Sequence, residues 1–180
     1  VENYGDLLFP LILERRLAHL PAEWVHVSPV GGGPVWGDCV TTISTEDAMS
    51  ETFDGIVIGG GHIIHGQPSD VAPYVSAGDI GLFAYADLWL GATLLANKLG
   101  IPSVWNAPGI PGAFGPETAS LVEWAASEAS YLAVRDTQSR SFLKGAGFNG
   151  EVGVELDTAL EVDCLWSAAE LDEASSEAFT

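Results

Sequence analysis

The segment that most constrains the fold is a short apolar run, Gly55-Ile56-Val57-Ile58, which leads directly into Gly59-Gly60-Gly61. β-Branched residues that end in glycine are typical of a buried parallel strand followed by a tight turn. Further strand-like segments follow along the chain, and helical patterns separate them. Such alternation implies right-handed crossovers between parallel strands. The sequence therefore predicts an α/β domain, with a mostly parallel sheet and helices on both faces.

The predicted elements come from periodicity and from Gly and Pro punctuation. A turn over residues 3–6 is followed by a helix with Asp6 as its N-cap, and a strand is expected just upstream of Val1 because this helix has none before it. Residues 29–38 and 67–82 are predicted to be loops, the first because Gly31-Gly32-Gly33-Pro34 disfavours regular structure. The other predicted strands are 24–28, 55–58, 102–106, 131–134 and 151–154, and the other predicted helices are 46–52, 86–99, 116–127 and 137–145.

The charge balance excludes two classes of partner. The chain has 25 acidic and 6 basic residues in 180, a net charge of −19. Such a chain repels phosphate backbones and anionic lipid headgroups, so we expect neither nucleic-acid nor membrane-surface binding. No stretch is long and apolar enough to predict an integral membrane segment. Two widely separated cysteines, Cys39 and Cys164, and no visible signal peptide favour a reducing, cytoplasmic location.

Several polar segments follow predicted strands and are expected to meet on one rim. In open parallel sheets ligands bind at the carboxyl ends of the strands. The convergence of these segments is a stronger indication of a site than any single motif. The segments are Asn3-Tyr4-Gly5-Asp6, Gly59-Gly60-Gly61-His62, Asn106-Ala107-Pro108-Gly109, Arg135-Asp136 and Asp157-Thr158.

The glycine turn and the two histidines after it have competing interpretations. Backbone N–H groups of Gly59 to Gly61 could face a phosphate, but the turn lacks the GxGxxG pattern and a P-loop lysine, so a plain tight turn fits as well. His62 and His65 stand three residues apart, yet no third ligand is near in sequence, so we predict no metal. His62, directly after the glycines, is a better candidate for substrate contact or proton transfer; a loop histidine bonded to backbone is the alternative.

Arg135 is notable because basic residues are scarce. It ends an apolar strand, so its guanidinium is expected on the rim, where a forked donor suits a carboxylate or a phosphate. The alternative is a structural ion pair with Asp136 or Asp157.

In order and spacing, these motifs resemble the polysaccharide pyruvyl transferase family. The resemblance covers roughly residues 3 to 160, and each motif is weak alone. Glu155-Leu156 stands where the family typically has Val-Pro. The segments that carry it are Asn3 to Leu8, Phe53 to Gly61, Asn106 to Gly109, Ala133 to Ser139 and Asp157 to Leu160.

The resemblance implies one half of a glycosyltransferase-B-like architecture and an activity in exopolysaccharide biosynthesis. Family members transfer the pyruvyl group of phosphoenolpyruvate to sugar hydroxyls as a ketal, so the implied partners are phosphoenolpyruvate, as donor substrate, and a saccharide acceptor, with no cofactor. The predicted substrate-binding residues are Asn3, Gly5, Asp6, Gly59, Gly60, Gly61, His65, Asn106, Gly109, Arg135 and Asp157, and the predicted catalytic residue is His62.

The resemblance also predicts the domain organisation. Residues 1–160 are expected to form the Rossmann-like N-terminal domain, and 161–180 an acidic tail or the start of a linker to a second domain. A C-terminal domain or a homo-oligomeric partner would supply the other wall of the cleft, and transferase activity is expected once that wall is present. A nucleotide-sugar glycosyltransferase-B half and a non-catalytic α/β binding module are the alternatives.

Overall fold

A four-stranded parallel sheet forms the centre of the protein, as a computed structural model describes it for residues 4–33, 40–68 and 84–178. Its strands follow each other in sequence order, and every neighbouring pair is parallel. The predicted α/β class with a Rossmann-like parallel sheet is confirmed. The four strands are β4 (Ile56–Gly59), β5 (Ser103–Asn106), β6 (Tyr131–Val134) and β7 (Gly153–Val154).

Helices flank this sheet and close its core. Gly100 ends the longest helical stretch with φ 67°, a left-handed conformation that glycine adopts without steric cost. The helices are α1 (Tyr4–Arg16), α2 (Thr45–Ala48), α3 (Ala84–Ala86, a π-helical turn Asp87–Gly91, then Ala92–Leu99), α4 (Pro116–Glu128), α5 (Thr137–Gly145), a 3₁₀ segment (Thr158–Cys164) and α6 (Ala168–Ala178).

The core lies between the strands and these helices. Trp105 on β5 is fully buried, and Trp89 on α3 is 1% exposed, so two of the largest side chains fill the interior. Ile58, Val134 and Leu143 join them in the same cluster. Burial of this apolar surface is the main force that holds the strand ends in fixed positions.

A second, smaller sheet corrects two predictions. The predicted strand 24–28 is present only as β1 (Val27–Ser28), and it does not join the main sheet. It pairs in parallel with β3 (Thr42–Ser44), which also pairs antiparallel with β2 (Val30–Gly32). Strand β2 lies where a loop was predicted. The glycines favour the pairing here: a Cβ at Gly31 would come within 2.6 Å of the Ser44 backbone nitrogen, and φ is 68° at Gly31 and 100° at Gly32.

Other predictions fall near the ends of elements or outside the described residues. Helix α1 begins at Tyr4, so residues 4–6 are helical where a turn was predicted, and the predicted N-cap at Asp6 is wrong. The helix dipole favours an acidic residue in the first turn as well as at the N-cap, so the residue type did not distinguish the two positions. Residues 34–38 and 69–82 of the predicted loops lie outside the described ranges. Helix α6 occupies most of the predicted acidic tail, and the linker to a second domain stays a prediction.

Candidate functional site

The rim begins where β4 ends in the glycine turn. Gly60 and Gly61 have φ values of 77° and 63°. A Cβ at Gly60 would overlap the ring of Phe9, so α1 packs directly on this turn. Gly5 and Asp6 lie in the first turn of α1. Asn3 lies outside the described residues.

The loop after β5 is bonded to the glycine turn. The Gly109 N–H donates to the Gly61 carbonyl oxygen at 2.7 Å, and the Ile64 N–H donates to the Gly109 carbonyl at 3.3 Å. Ala107 holds φ 54°, uncommon outside glycine, where the chain turns away from the strand. A Cβ at Gly109 would overlap His62 and lie 2.5 Å from Nε of Arg135, so glycine here lets both side chains sit against the loop.

Arg135 joins three of the strand ends. Its Nη1 donates to Oδ2 of Asp157 at 2.9 Å, and its Nη2 contacts Nε2 of His62. Asp136 lies on the other side, with its Oδ2 3.6 Å from Nε. The Arg135 side chain is 19% exposed. Arg135 thus lies on the rim and also forms the ion pairs that were predicted as the alternative. The resulting cluster consists of His62, Arg135, Asp136 and Asp157.

The contact with Arg135 involves one nitrogen of the His62 ring. A guanidinium has donors only, so a hydrogen bond between the two groups requires Nε2 of His62 to accept. His62 is exposed, in contrast to the guanidinium behind it. The residue therefore presents an imidazole at a solvent-accessible point of the rim.

Asp157 and Asn106 connect the cluster to the 3₁₀ segment. Oδ1 of Asp157 accepts from the Ala159 N–H at 3.0 Å and caps this segment, while Oδ2 receives Arg135. Asn106, the last residue of β5, donates from Nδ2 to Oγ1 of Thr158 at 3.4 Å. Both side chains form hydrogen bonds within the protein, so they stabilise the rim.

Asp136 begins α5 and is electrostatically tuned. Burial acts to raise its pKa, but hydrogen bonds from the Ser139 backbone and hydroxyl, together with the charges of Arg135 and His62, hold the pKa below its usual value. The Ser139 N–H donates to Oδ1 at 2.6 Å. Ser139 is fully buried, and its Oγ accepts from the Ile110 N–H at 3.0 Å. Sequence reasoning did not select Ser139 as a site residue, although the Asp-x-x-Ser spacing is typical of a helix N-cap.

His65 points to a different part of the surface. Its ring lies 4.7 Å from that of Tyr85, and its carbonyl oxygen accepts from Nε1 of Trp89 at 3.1 Å. It also lines a cavity of about 230 Å³ between residues 65–67 and 111–115. His62 and His65 therefore serve separate environments. Within the described ranges, no three His, Cys, Asp or Glu side chains are grouped so as to hold a metal ion.

The fold and the rim define a class: a parallel α/β domain with a polar site at the carboxyl ends of its strands. The particular family follows from comparison with known proteins. The model of the polysaccharide pyruvyl transferase family matches residues 3–179, nearly the whole chain, and the chain belongs to that family. Neither the curated proteins nor the solved structures gave a match. Across the described parts of the chain, no helix combines the length and apolarity that a membrane crossing needs.

Proposed function

We propose that this protein transfers the pyruvyl group of phosphoenolpyruvate to a saccharide and that the cluster of His62, Arg135, Asp136 and Asp157 is the donor site. The observation that carries the proposal is the guanidinium of Arg135, which lies at the meeting point of three strand ends in a chain of net charge −19. A compact polyanion needs such a forked donor. Membership of the pyruvyl transferase family supplies the reaction class.

The reaction requires two saccharide hydroxyls and one donor. The first hydroxyl oxygen bonds to C2 of the enol, and C3 gains a proton and becomes a methyl group. The second hydroxyl oxygen then bonds to C2 as the C2–O bond to phosphate breaks. Its proton leaves with the phosphate, and the product is a cyclic ketal. The site must therefore bind an anionic leaving group and move protons close to it.

The described residues offer both functions. Arg135 turns one face of its fork from Asp157 to the phosphate or carboxylate of the donor, with a charge-assisted hydrogen bond as the new contact. His62, released from Arg135 by this movement, accepts the proton of an attacking hydroxyl at Nε2. The loop after β5 brings backbone close to the same point, because Gly109 packs against both side chains.

Thermal-shift titration tests the donor and the role of Arg135 together. A ligand at 100 times its Kd stabilises a protein by about 2.7 kcal/mol. For a domain of this size that corresponds to a rise in Tm of roughly 5–10 °C. We expect phosphoenolpyruvate to produce such a rise in the wild type and none in Arg135→Gln.

Arg16→Gln is the matched control. Arg16 is likewise an arginine in an ion pair, with Glu161 at 3.2 Å. It is the last residue of α1, whereas Phe9, which contacts the glycine turn, lies nearer the start of that helix. This variant should keep the full response to phosphoenolpyruvate. A response to nucleotide sugars alone would instead identify a glycosyltransferase, and an absence of response to both donors would favour a binding module whose Arg135 serves only its carboxylate partners.

A further inference from the structure

The cavity beside the rim has an unusual composition for this chain. It is about 230 Å³ in volume and is bounded by residues 65–67, residues 111–115 and Thr118 at the start of α4. None of the described residues that line it is Asp, Glu, Lys or Arg, although the chain carries 25 acids. Its polar groups are an imidazole, an amide, a hydroxyl and loop backbone. Such a lining suits a neutral, hydroxyl-rich ligand better than an anion.

The two walls of the cavity continue directly from the donor site. Residue 65 follows His62 by three positions, and an extended chain spans at most about 3.6 Å per residue, so their Cα atoms lie within roughly 11 Å. Residue 111 follows Gly109 by two positions, within roughly 7 Å. The bonds from Gly109 to Gly61 and from Ile64 to Gly109 hold the two walls side by side. A ligand in this cavity is therefore within reach of the rim.

The polar groups of the cavity are held in defined orientations. Nδ1 of His65 accepts from the Gln67 N–H at 3.2 Å, so the neutral ring carries its proton on Nε2. The Tyr85 ring contacts the His65 ring, and Nε1 of Trp89 donates to the His65 carbonyl oxygen, so both the ring and the backbone of His65 are held in place. A Cβ at Gly66 would come within 2.7 Å of Oγ1 of Thr118, so the wall passes tightly over α4. Half-buried Phe114 adds an apolar surface that packs on the core.

We infer that this cavity is the acceptor subsite and binds one neutral sugar ring of the saccharide. The inference deepens the proposed function and rests on it. At about 230 Å³ the cavity is below the range of roughly 300–1,000 Å³ typical of drug-sized ligands, which is consistent with a single ring and a chain that extends outwards. His65 and Thr118 bind hydroxyls, and the ring oriented by them presents its remaining hydroxyls to His62.

An amide-resolved NMR titration tests the inference. The probes are the methyl glycosides of glucose, galactose and mannose, added to millimolar concentration, and phosphoenolpyruvate is titrated separately. We expect at least one glycoside to shift the amide signals of Gln67, Gly112 and Gly115. Phosphoenolpyruvate should instead shift those of His62 and Arg135.

Substitution of glycine by phenylalanine at two open positions separates the cavity from the rest of the surface. A Cβ at Gly112 meets nothing within 4 Å, so Gly112→Phe can fold and fill the cavity mouth. It should raise the glycoside Kd by at least about tenfold. Gly145→Phe, at an equally open position at the end of α5, should leave the Kd unchanged. Thr118→Val, which replaces the hydroxyl with a methyl group, should also raise the glycoside Kd.

The outcomes distinguish the two proposals. Glycoside shifts that map elsewhere, an unchanged Kd in both Gly112→Phe and Thr118→Val, or inorganic phosphate that shifts the cavity amides would each overturn the acceptor subsite. If phosphoenolpyruvate still shifts His62 and Arg135 in those cases, the proposed donor site stands. Glycoside binding in the cavity without any response to phosphoenolpyruvate would support the subsite and count against the donor.

Discussion

At the scale of single residues, Arg135 is a cation held by more negative charge than it can neutralise. Two carboxylates, of Asp136 and Asp157, lie within 3.6 Å and 2.9 Å of its nitrogens, and His62 also contacts it. Arg135 and its two carboxylate partners together therefore have a net negative charge before any ligand arrives. A donor anion must compete with Asp157 for the guanidinium, because the carboxylate occupies one of its N–H donors and repels a second anion.

Asp157→Asn tests this competition. The substitution removes one negative charge next to the proposed anion site and retains a side-chain oxygen for the Ala159 N–H. We expect phosphoenolpyruvate and inorganic phosphate to bind more tightly to the variant, by about tenfold, which is 1.4 kcal/mol. Isothermal titration at constant ionic strength measures the change.

Glu161→Gln is the control for this experiment, because it also removes one acid from the same segment and breaks one arginine ion pair. Its effect on anion affinity should be small. If Asp157→Asn binds anions more weakly than the wild type, Asp157 orients Arg135 for the ligand and does not compete with it.

The meeting of His62, Arg135 and Asp157 could be predicted from sequence because a general rule places strand ends on one rim. An ion pair of Arg135 with Asp136 or Asp157 was one predicted alternative, but the contact of Arg135 with His62 could not be predicted, because it depends on side-chain directions that spacing does not encode. The same limit applies to Phe9, which covers Gly60, and to Ser139, which ties the loop after β5 to the cap of α5. His65 was predicted as a substrate-binding residue, and its place in the lining of the neighbouring cavity could not be read from its spacing to His62.

At the scale of elements, α5 begins at the rim, and its N-cap residue directly follows Arg135. The Asp136 carboxylate satisfies the Ser139 N–H and faces the positive end of the helix dipole. Formation of this helix and the position of Arg135 are therefore coupled through one side chain. Disturbance of the cap should affect both stability and donor binding.

Asp136→Ala and Asp136→Asn separate the cap from the charge. Asparagine caps helices nearly as well as aspartate, whereas alanine loses the hydrogen bond, at a cost of about 1 kcal/mol in the free energy of unfolding. The Asn variant should thus lose only the stability that comes from the charge, and the Ala variant should lose both. Denaturant unfolding at several pH values measures the two differences.

The pH dependence has a definite sign. Because the pKa of Asp136 is lowered in the folded protein from its ordinary 3.8, its charge contributes stability above that value. This contribution disappears as the pH falls through the lower folded pKa. The difference between wild type and Asn variant should therefore be constant near neutrality and vanish in acid. A difference that persists at low pH would show that the charge of Asp136 is not its cause.

The elements of the main sheet were predictable, and those of the small sheet were not, for a physical reason. Strands β4, β5 and β6 are mostly buried or half-buried, so their apolar runs and glycine or proline boundaries are distinct in sequence. In contrast, β2 has the sequence Val-Gly-Gly, and its pairing with β3 depends on the positive φ of Gly31 and Gly32 and on a close approach to Ser44. Glycine usually indicates a loop, but at Gly31 and Gly32 it allows the strand to pair.

At the scale of the whole molecule, the protein folds with a net charge of −19 at neutral pH. Repulsion among unpaired surface acids destabilises a compact state, and salt screens it. The effect is concentrated in α6, whose first turn carries Glu170 and whose sequence contains no basic residue. Glu170 itself is used as a cap, since its Oε2 accepts from the Ser167 N–H at 2.7 Å, but Asp172 and Glu173 stand beside it on an exposed helix.

The stability of the protein should therefore rise with sodium chloride, and a charge reversal in α6 should reduce that dependence. The Debye length falls from about 30 Å at 0.01 M to 3 Å at 1 M salt. Glu173→Lys reduces the magnitude of the net charge by two and places an opposite charge three residues from Glu170, a favourable helical spacing. We expect a higher Tm than wild type at 0.01 M, by about 2–4 °C for each kcal/mol gained, and a smaller gap at 1 M. Ser176→Lys adds one positive charge to the same helix and should give a smaller change of the same sign. If salt raises the Tm of all three proteins equally, exclusion of ions from the surface, rather than screening, stabilises the fold.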